Sequence, residues 1–507
     1  MRTKRISGII FLALLGAAIN GQVRQPHSLY FMETIPQISQ MNPAFQPRAN
    51  GYLMLPSVNI DFLSDIAVKD MLQKQDNKWR TPFEKQYDYD MLRKSIGKQA
   101  AMFNFGTDID IIGYGLRVGD GYFSVGISEH ISGNFALPGD IFNITDKGFP
   151  NGATFDFSPL HFQAIMYKQF LVGYSRKLND KLTVGMNIKP LFGQFAFATD
   201  IQNFNMRTKE VQWDVSTTGN VYSSLPCDVK LDAEGKIEDV KLPYEPSDGF
   251  PDKYKFKDWL NDYGKDLFQD YGLAFHNPGI AFDLGVSYRI DERLTASLSV
   301  NNLGFISWKE DLNSISFDGK YKIDGLYYDA TSDDEIKDLF NKLGESIADA
   351  MKYKTENSKF KTALPPVLHA GASYRLTESL SAGLLSRTVF WKNCIRQSFN
   401  LSAYFQPYSF VAFNAGATWQ MKSNVFLGGG LTFLLGPLQI YILADHVPVY
   451  YSSLTIDDKR LELSDNFPIP IPERLKTVTM RVGFNLIFGR HGYTNRPMLD
   501  RGKNSWN

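Results

Sequence analysis

The sequence predicts an all-β chain: a transmembrane antiparallel β-barrel of about 14 strands with long, partly helical outer loops and an N-terminal plug segment. Three observations predict it. Segments of roughly nine to eleven residues alternate apolar with small or polar side chains, the period and length of a bilayer-crossing strand. The connections between them alternate largely between short polar turns and long loops. The chain opens with the pattern of a secretory leader.

The leader comes first in the chain. Arg2, Lys4 and Arg5 form a basic region, Ile9 to Ala18 an apolar run, and Gly21-Gln22 a cleavage point among small residues. The apolar run is too short for an anchor helix. No cysteine follows it, which excludes a lipoprotein. Residues 1–21 are therefore expected to be a signal peptide, 22–50 a plug, 51–490 the barrel and 491–507 a periplasmic tail.

Three segments repeat one design: 170–189 (FLVGYSRKLNDKLTVGMNIK), 282–301 (FDLGVSYRIDERLTASLSVN) and 368–387 (LHAGASYRLTESLSAGLLSR). Each reads as strand, tight polar turn, strand. Ile280, Phe282, Leu284, Val286 and Tyr288 fall on one face, while Ala281, Asp283, Gly285, Ser287 and Arg289 fall on the other. Leu298 shares the apolar face of the next strand and Ser297 the polar one. The apolar face meets lipid and the small polar face meets the lumen. Soluble sandwich strands average about five or six residues, shorter than these.

Candidate strands start near 52, 104, 121, 161, 181, 279, 293, 366, 379, 397, 409, 424, 438 and 476, an even number as single-chain bacterial barrels require. From a periplasmic N-terminus, the short turns at 119–121, 179–181, 291–293, 377–379, 406–409 and 436–437 all land inside. The long segments 63–103, 136–160, 198–278, 308–365 and 449–475 all land outside. Tyr174, Tyr288 and Tyr374 sit on the lipid face just before inner turns, where an interfacial aromatic belt belongs. Trp308 and Trp391 stand at outer strand ends. Within the outer segments, 253–271 and 332–351 carry apolar residues at helical spacing, the latter behind a Ser332/Glu335 capping pair. Residues 66–98 are also partly helical in pattern.

Composition agrees. Aromatics are 14%, with 38 Phe, 25 Tyr and 40 Gly. Mean hydropathy is −0.24. That suits one apolar and one wet face better than a helical membrane protein. Net charge is zero, so no long-range field points to nucleic acid. The two cysteines, Cys227 and Cys394, are too few for a zinc module or disulfide scaffold. Both fall in outer segments, where pairing and free thiols remain alternatives.

Chemistry-bearing motifs are lacking, and neither enzyme activity, a cofactor nor a metal is expected. The seven histidines form no metal-spaced pair. Gly173-Tyr174-Ser175 and Gly371-Ala372-Ser373 lack the second glycine of a nucleophile elbow. Gly428-Gly429-Gly430 lacks a phosphate-loop lysine. The carboxylates of 232–238 are too loosely spaced for a calcium loop. Asp108 and Asp110 share a strand face without a third partner in sight. A hydrolytic barrel would need a Ser, a His and a polar orienter meeting on one wall.

Alternation points Lys189, Asp283, Arg289, His369, Arg375, Arg387 and Arg481 inward. They either pair with one another or line and dock the N-terminal segment. Pro190 interrupts a strand pattern and marks a kink or bulge. In segment 22–50, Pro36, Pro43 and Pro47 favour an irregular path, while Tyr30, Phe31, Met32, Ile35, Ile38, Met41 and Phe45 need burial.

The opening SLYFMETIPQISQMNPAFQPRANGYLMLP (28–56) resembles outer-membrane barrels of the Bacteroidota, a group similar to FadL-type channels that includes PorV- and PorP-like proteins. Asn42, Pro43, Ala44 and Phe45, then Gly51 and Tyr52, carry the likeness, with the last strand RVGFNLIFGR (481–490). The resemblance implies a 14-stranded barrel whose N-terminal segment enters the lumen, with Asn42, Pro43 and Phe45 in the plug. In FadL-like barrels a kinked strand opens the wall sideways, which would be the role of Pro190. Two function classes stay open. One is passage of a hydrophobic or amphipathic small molecule. The other is a non-transporting scaffold or secretion accessory that binds a protein through its outer loops. The expected surroundings are outer-membrane lipid, and the expected location is the outer membrane.

Overall fold

The computed structural model describes residues 25–490 with breaks, the longest within 242–274, 325–341 and 455–468. Residues 1–21 and 491–507, the expected signal peptide and tail, lie outside the described residues, as do Cys227, Cys394, Trp391 and most of 253–271.

Fourteen antiparallel strands close into a barrel. They are β1 (Ala49–Ser64), β2 (Ala100–Val118), β3 (Gly121–Pro138), β4 (His161–Lys177), β5 (Leu182–Arg207), β6 (Pro278–Arg289) and β7 (Leu294–Trp308). Then follow β8 (Val367–Arg375), β9 (Leu380–Phe390), β10 (Ile395–Tyr408), β11 (Val411–Gln420), β12 (Val425–Leu435), β13 (Leu438–Val447) and β14 (Thr477–Arg490). Neighbours in sequence pair, and β1 meets β14 with Gly51 opposite Phe488 and Val58 opposite Val482. Closure leaves no free edge strand among these fourteen, the condition for strands in lipid.

The outer face is apolar. Ile280, Phe282, Leu284 and Leu298 are exposed, as are Tyr174 (50%), Tyr288 (44%) and Tyr374 (41%) at the turn ends. Large apolar side chains exposed in a continuous belt, with polar ones buried inside, invert the order of a soluble protein. Among the described residues no helix is long and apolar enough to cross a membrane. The short turns are set by local chemistry. Asn179 accepts the backbone N–H of Lys181 and Leu182, both at 2.9 Å. Asp291 does the same for Arg293 and Leu294, both at 2.7 Å, and these two N–H groups hold its carboxyl below the usual carboxylate range.

The outer segments hold more strand than their sequence suggests. β5 runs 26 residues and pairs beyond the apolar belt with Gln212–Ser224, which pairs in turn with Ile315–Asp324. A core of Ile144, Phe155, Phe157, Met206, Trp213, Val215, Ile323 and Leu343 lies under this sheet. The 332–351 segment contributes Leu343 from a helical stretch at 342–347. Within 66–98 two short helices form, Val68–Met71 and Tyr89–Ile96. Strand is hard to read here because these strands no longer have a lipid side.

Trp308 ends β7, at the strand end where the sequence placed it. It is fully buried inside, not at the lipid interface, and its indole N–H donates to Thr362 Oγ1 at 2.9 Å. The cause is a bulge: the β6–β7 register shifts between Phe282 and Leu284, with Asn302 at φ 62°. One extra residue reverses the alternation and turns Ile306 and Trp308 inward.

Candidate functional site: a plugged lumen and a break in its wall

Residues 25–48 occupy the lumen. His27–Phe31 forms a 3₁₀ turn and Ile38–Met41 a single helical turn, in keeping with the prolines between and after them. Leu29, Tyr30, Phe31, Met32, Ile35 and Met41 pack against Leu385, Tyr404, Ala412, Tyr441 and Leu443 of the wall, with Phe45 beside them. Glycines make the room. A Cβ on Gly185 would sit 2.2 Å from the Pro43 carbonyl oxygen, and one on Gly285 would sit 2.1 Å from Asn42 Oδ1. Asn42 Oδ1 in turn accepts the Ala44 N–H at 2.9 Å, fixing the Asn42-Pro43 turn. Gly285→Val should therefore dislodge this turn. Limited trypsin digestion of the folded barrel should then cleave after Arg48 several-fold faster than in the parent, and an unchanged rate would contradict the seating.

Polar side chains tie the segment down. Arg387 Nη1 donates to the Gln25 carbonyl at 2.9 Å. Arg481, almost wholly buried, meets Asp110 and Gln25, and donates to Gln40 Oε1 at 3.0 Å. Asp110 also accepts from Ser57 at 2.7 Å and Gln40 at 3.2 Å. Asp108 accepts from Gln25 at 2.7 Å and faces His130 Nδ1 at 2.6 Å. The two aspartates thus have the partners that their own strand did not reveal. Glu33 is held by Arg48, at 2.6 Å; that guanidinium, with Arg375 of the wall adding to it, keeps its carboxyl below the usual range.

The other inward residues divide by height. Lys189 and Asp283 form a buried ion pair of 2.7 Å, and Asn187 donates to the same carboxylate at 3.0 Å. His369 is buried with Nδ1 3.4 Å from Ser299 Oγ. Arg289 and Arg375 lie at strand ends near the turns and are exposed. The Arg289 guanidinium donates to the Asp180 carbonyl of the neighbouring turn, so it caps the rim instead of filling the lumen. Arg375 lines a vestibule of about 290 Å³ at the short-turn end of the barrel, with Tyr30, Phe31, Phe45 and Tyr404 among its walls.

His27, Ser398 and Asp445 escaped the sequence reading. His27 Nε2 lies 2.9 Å from Ser398 Oγ and Nδ1 3.2 Å from Asp445 Oδ2. The order is that of a hydrolytic relay, but Asp445 Oδ2 also accepts the His27 and Ser28 backbone N–H groups. The adjoining cavity is about 20 Å³, room for one water and not for an ester. The cluster therefore reads as the anchor of the plug's first turn. Among the described residues no group of three metal-ligating side chains converges.

Halfway up the wall the β4–β5 ladder breaks. Gln169 pairs with Leu191 and Val172 with Ile188 in one register, but 170–171 and 189–190 between them do not pair across this ladder; Phe170 and Leu171 keep Ile127 and Gly126 of β3 as partners. Pro190 lacks the N–H that would restore the ladder. On its other side β5 stays in register with β6, Lys189 opposite Ala281 and Pro190 opposite Ile280. The break borders an internal cavity of about 70 Å³ lined by Tyr167, Gln169, Leu171 and Lys189, with Gln40 and Met41 of the plug beneath.

A family model described as "Family of unknown function (DUF5723)" matches residues 43–445. No curated protein matches the sequence. Similar solved structures include two toluene transporters and a FadL homologue. The P. putida toluene transporter TodX has a TM-score of 0.38 at 9% identity, covering 89% of this chain and 93% of its own. The Ralstonia pickettii toluene transporter TbuX has a TM-score of 0.39 at 11% identity, covering 93% and 97%. A Pseudomonas aeruginosa FadL homologue has a TM-score of 0.40 at 12% identity, covering 94% and 100%.

Proposed function

This chain belongs to DUF5723, a family of unknown function, and we propose that it is an integral barrel of the cell outer membrane, inserted after loss of its leader, that passes a hydrophobic or amphipathic small molecule sideways through its wall. The observation that carries this reading is that three features adjoin one another. The plug blocks the axial route, a cavity lies above it, and the strand ladder fails where that cavity meets the β4–β5 wall. A molecule entering from outside would reach the cavity, part β4 from β5 where Leu171 and Pro190 do not pair across the ladder, and leave between strands into lipid. Parting the wall there costs fewer ladder hydrogen bonds than elsewhere, because Pro190 has none to give.

The test is uptake by intact cells. Cells bearing the barrel should accumulate radiolabelled 1-dodecanol faster than cells lacking it, and Pro190→Val, which supplies the missing donor, should lower the rate several-fold. Equal uptake with and without the barrel would overturn the reading. The second reading is a closed scaffold that binds a protein outside. It is favoured by the extramembrane sheet of β5, Gln212–Ser224 and Ile315–Asp324 over its own core. It predicts no uptake at all.

A further inference from the structure

The lipid side of the wall beside the break carries a feature that lipid contact alone would select against. Along β3, Phe123, Val125, Ile127, Glu129 and Ile131 share the outward face, opposite Ser124, Ser128 and His130 of the lumen. Glu129 stands directly across the ladder from Lys168 of β4, whose outward neighbours are Val172 and the belt residue Tyr174. Both charged residues are 7% exposed. Lys168 is six residues above Tyr174. At strand rise and tilt that is about 15 Å of height in an apolar band about 25 Å tall.

This charge pair is built into a site. Gln194, the extra residue where β5 bulges against Met166 and Tyr167, lies beside the Glu129 carboxylate. Phe170, Phe192 and Phe275 form a cluster with ring centroids 5.0 to 5.8 Å apart. The Phe275 ring lies 5.8 Å from Lys168 Nζ and is itself 61% exposed, so the cover is one ring thick. Glu129 Oε1 is buried and accepts no hydrogen bond among the described residues. An intramembrane ionisable cluster with an acceptor left over is costly unless something uses it.

We propose that Glu129, Lys168 and Gln194 form a docking site on the exit side of the wall break for the neutral hydroxyl head of an otherwise apolar molecule, whose body lies on the three phenylalanines. The proposal rests on the sideways-passage reading and names its substrate class. A hydroxyl donates to Glu129 Oε1 and accepts from the Lys168 ammonium at once. A plain hydrocarbon satisfies neither group, and a carboxylate meets repulsion from Glu129. The cavity on the lumen side offers Gln169, His130 and Lys189, so the head keeps polar contact on both sides of the wall.

The experiment compares uptake of radiolabelled 1-dodecanol and dodecane, which differ by one hydroxyl, in intact cells. The parent barrel should favour dodecanol by about ten-fold. Glu129→Leu with Lys168→Met should bring the ratio near one through loss of dodecanol uptake, with the heat-modifiable gel shift retained. If that pair fails to fold, Glu129→Gln, of equal size, should still lower the ratio several-fold. A folded variant that keeps the parent's preference overturns the proposal. A parent that takes both probes equally also overturns it but leaves sideways passage standing. A parent that takes neither removes both.

Discussion

Arg481→Met is expected to destabilise the barrel by about 3–5 kcal/mol, the usual cost of stranding one member of a buried ion pair. Its guanidinium is the hub between wall and plug: it meets Asp110 and Gln25 and donates to Gln40, and it is 1% exposed. Methionine fills part of the volume but leaves Asp110 with a buried charge and only neutral donors, Ser57 and Gln40. Adding Asp110→Leu should recover part of the loss, since it removes the stranded carboxylate. Urea unfolding of the barrel folded into lipid vesicles measures both. A loss below about 1 kcal/mol for the single variant would place Arg481 outside any stabilising network.

Deleting residues 25–47 behind an intact leader should turn a closed barrel into a conducting one. The segment buries Leu29, Tyr30, Met32, Ile35 and Met41 at the lumen centre and engages β6, β7, β9, β13 and β14 through side-chain hydrogen bonds. Without it the lumen is lined by uncovered polar side chains, and water will fill it. Planar bilayers should show stable unitary steps absent from the parent, and melting should fall. Silent bilayers with unchanged melting would mean that the segment does not close the barrel.

What was legible in the sequence was local. Alternation over 280–289 reports the two faces directly, because lipid and lumen impose opposite demands on adjacent residues. The apolar residues of a proline-rich, irregular segment declare a need for burial without saying where. The partners of Asp108 and Asp110 were hidden because they lie 83 residues away at Gln25 and 371 away at Arg481. The glycines at 185 and 285 appear as small lumen residues, but nothing local shows that Asn42 and Pro43 rest on them. The inward turn of Trp308 was hidden by one inserted residue at Asn302, which period-two counting passes over. Arg289 was given the right face and the wrong height, since a long side chain at a strand end reaches the turn. Glu129 carried a readable signal: it falls on the apolar side of FSVGISEHI, where a carboxylate needs a reason.

Cargo that leaves through the β4–β5 wall should be stopped by a covalent staple across it. Gln169 and Leu191 are opposed across the ladder at the edge of the break, and directly opposed antiparallel residues lie about 4.5–5.5 Å apart at Cα, within disulfide reach. Gln169→Cys with Leu191→Cys, in a background with Cys227 and Cys394 replaced by serine, allows the wall to be stapled. Uptake of radiolabelled 1-dodecanol by intact cells should stop when the disulfide forms and return on addition of reductant. A fully formed disulfide with unchanged uptake would contradict passage through this wall.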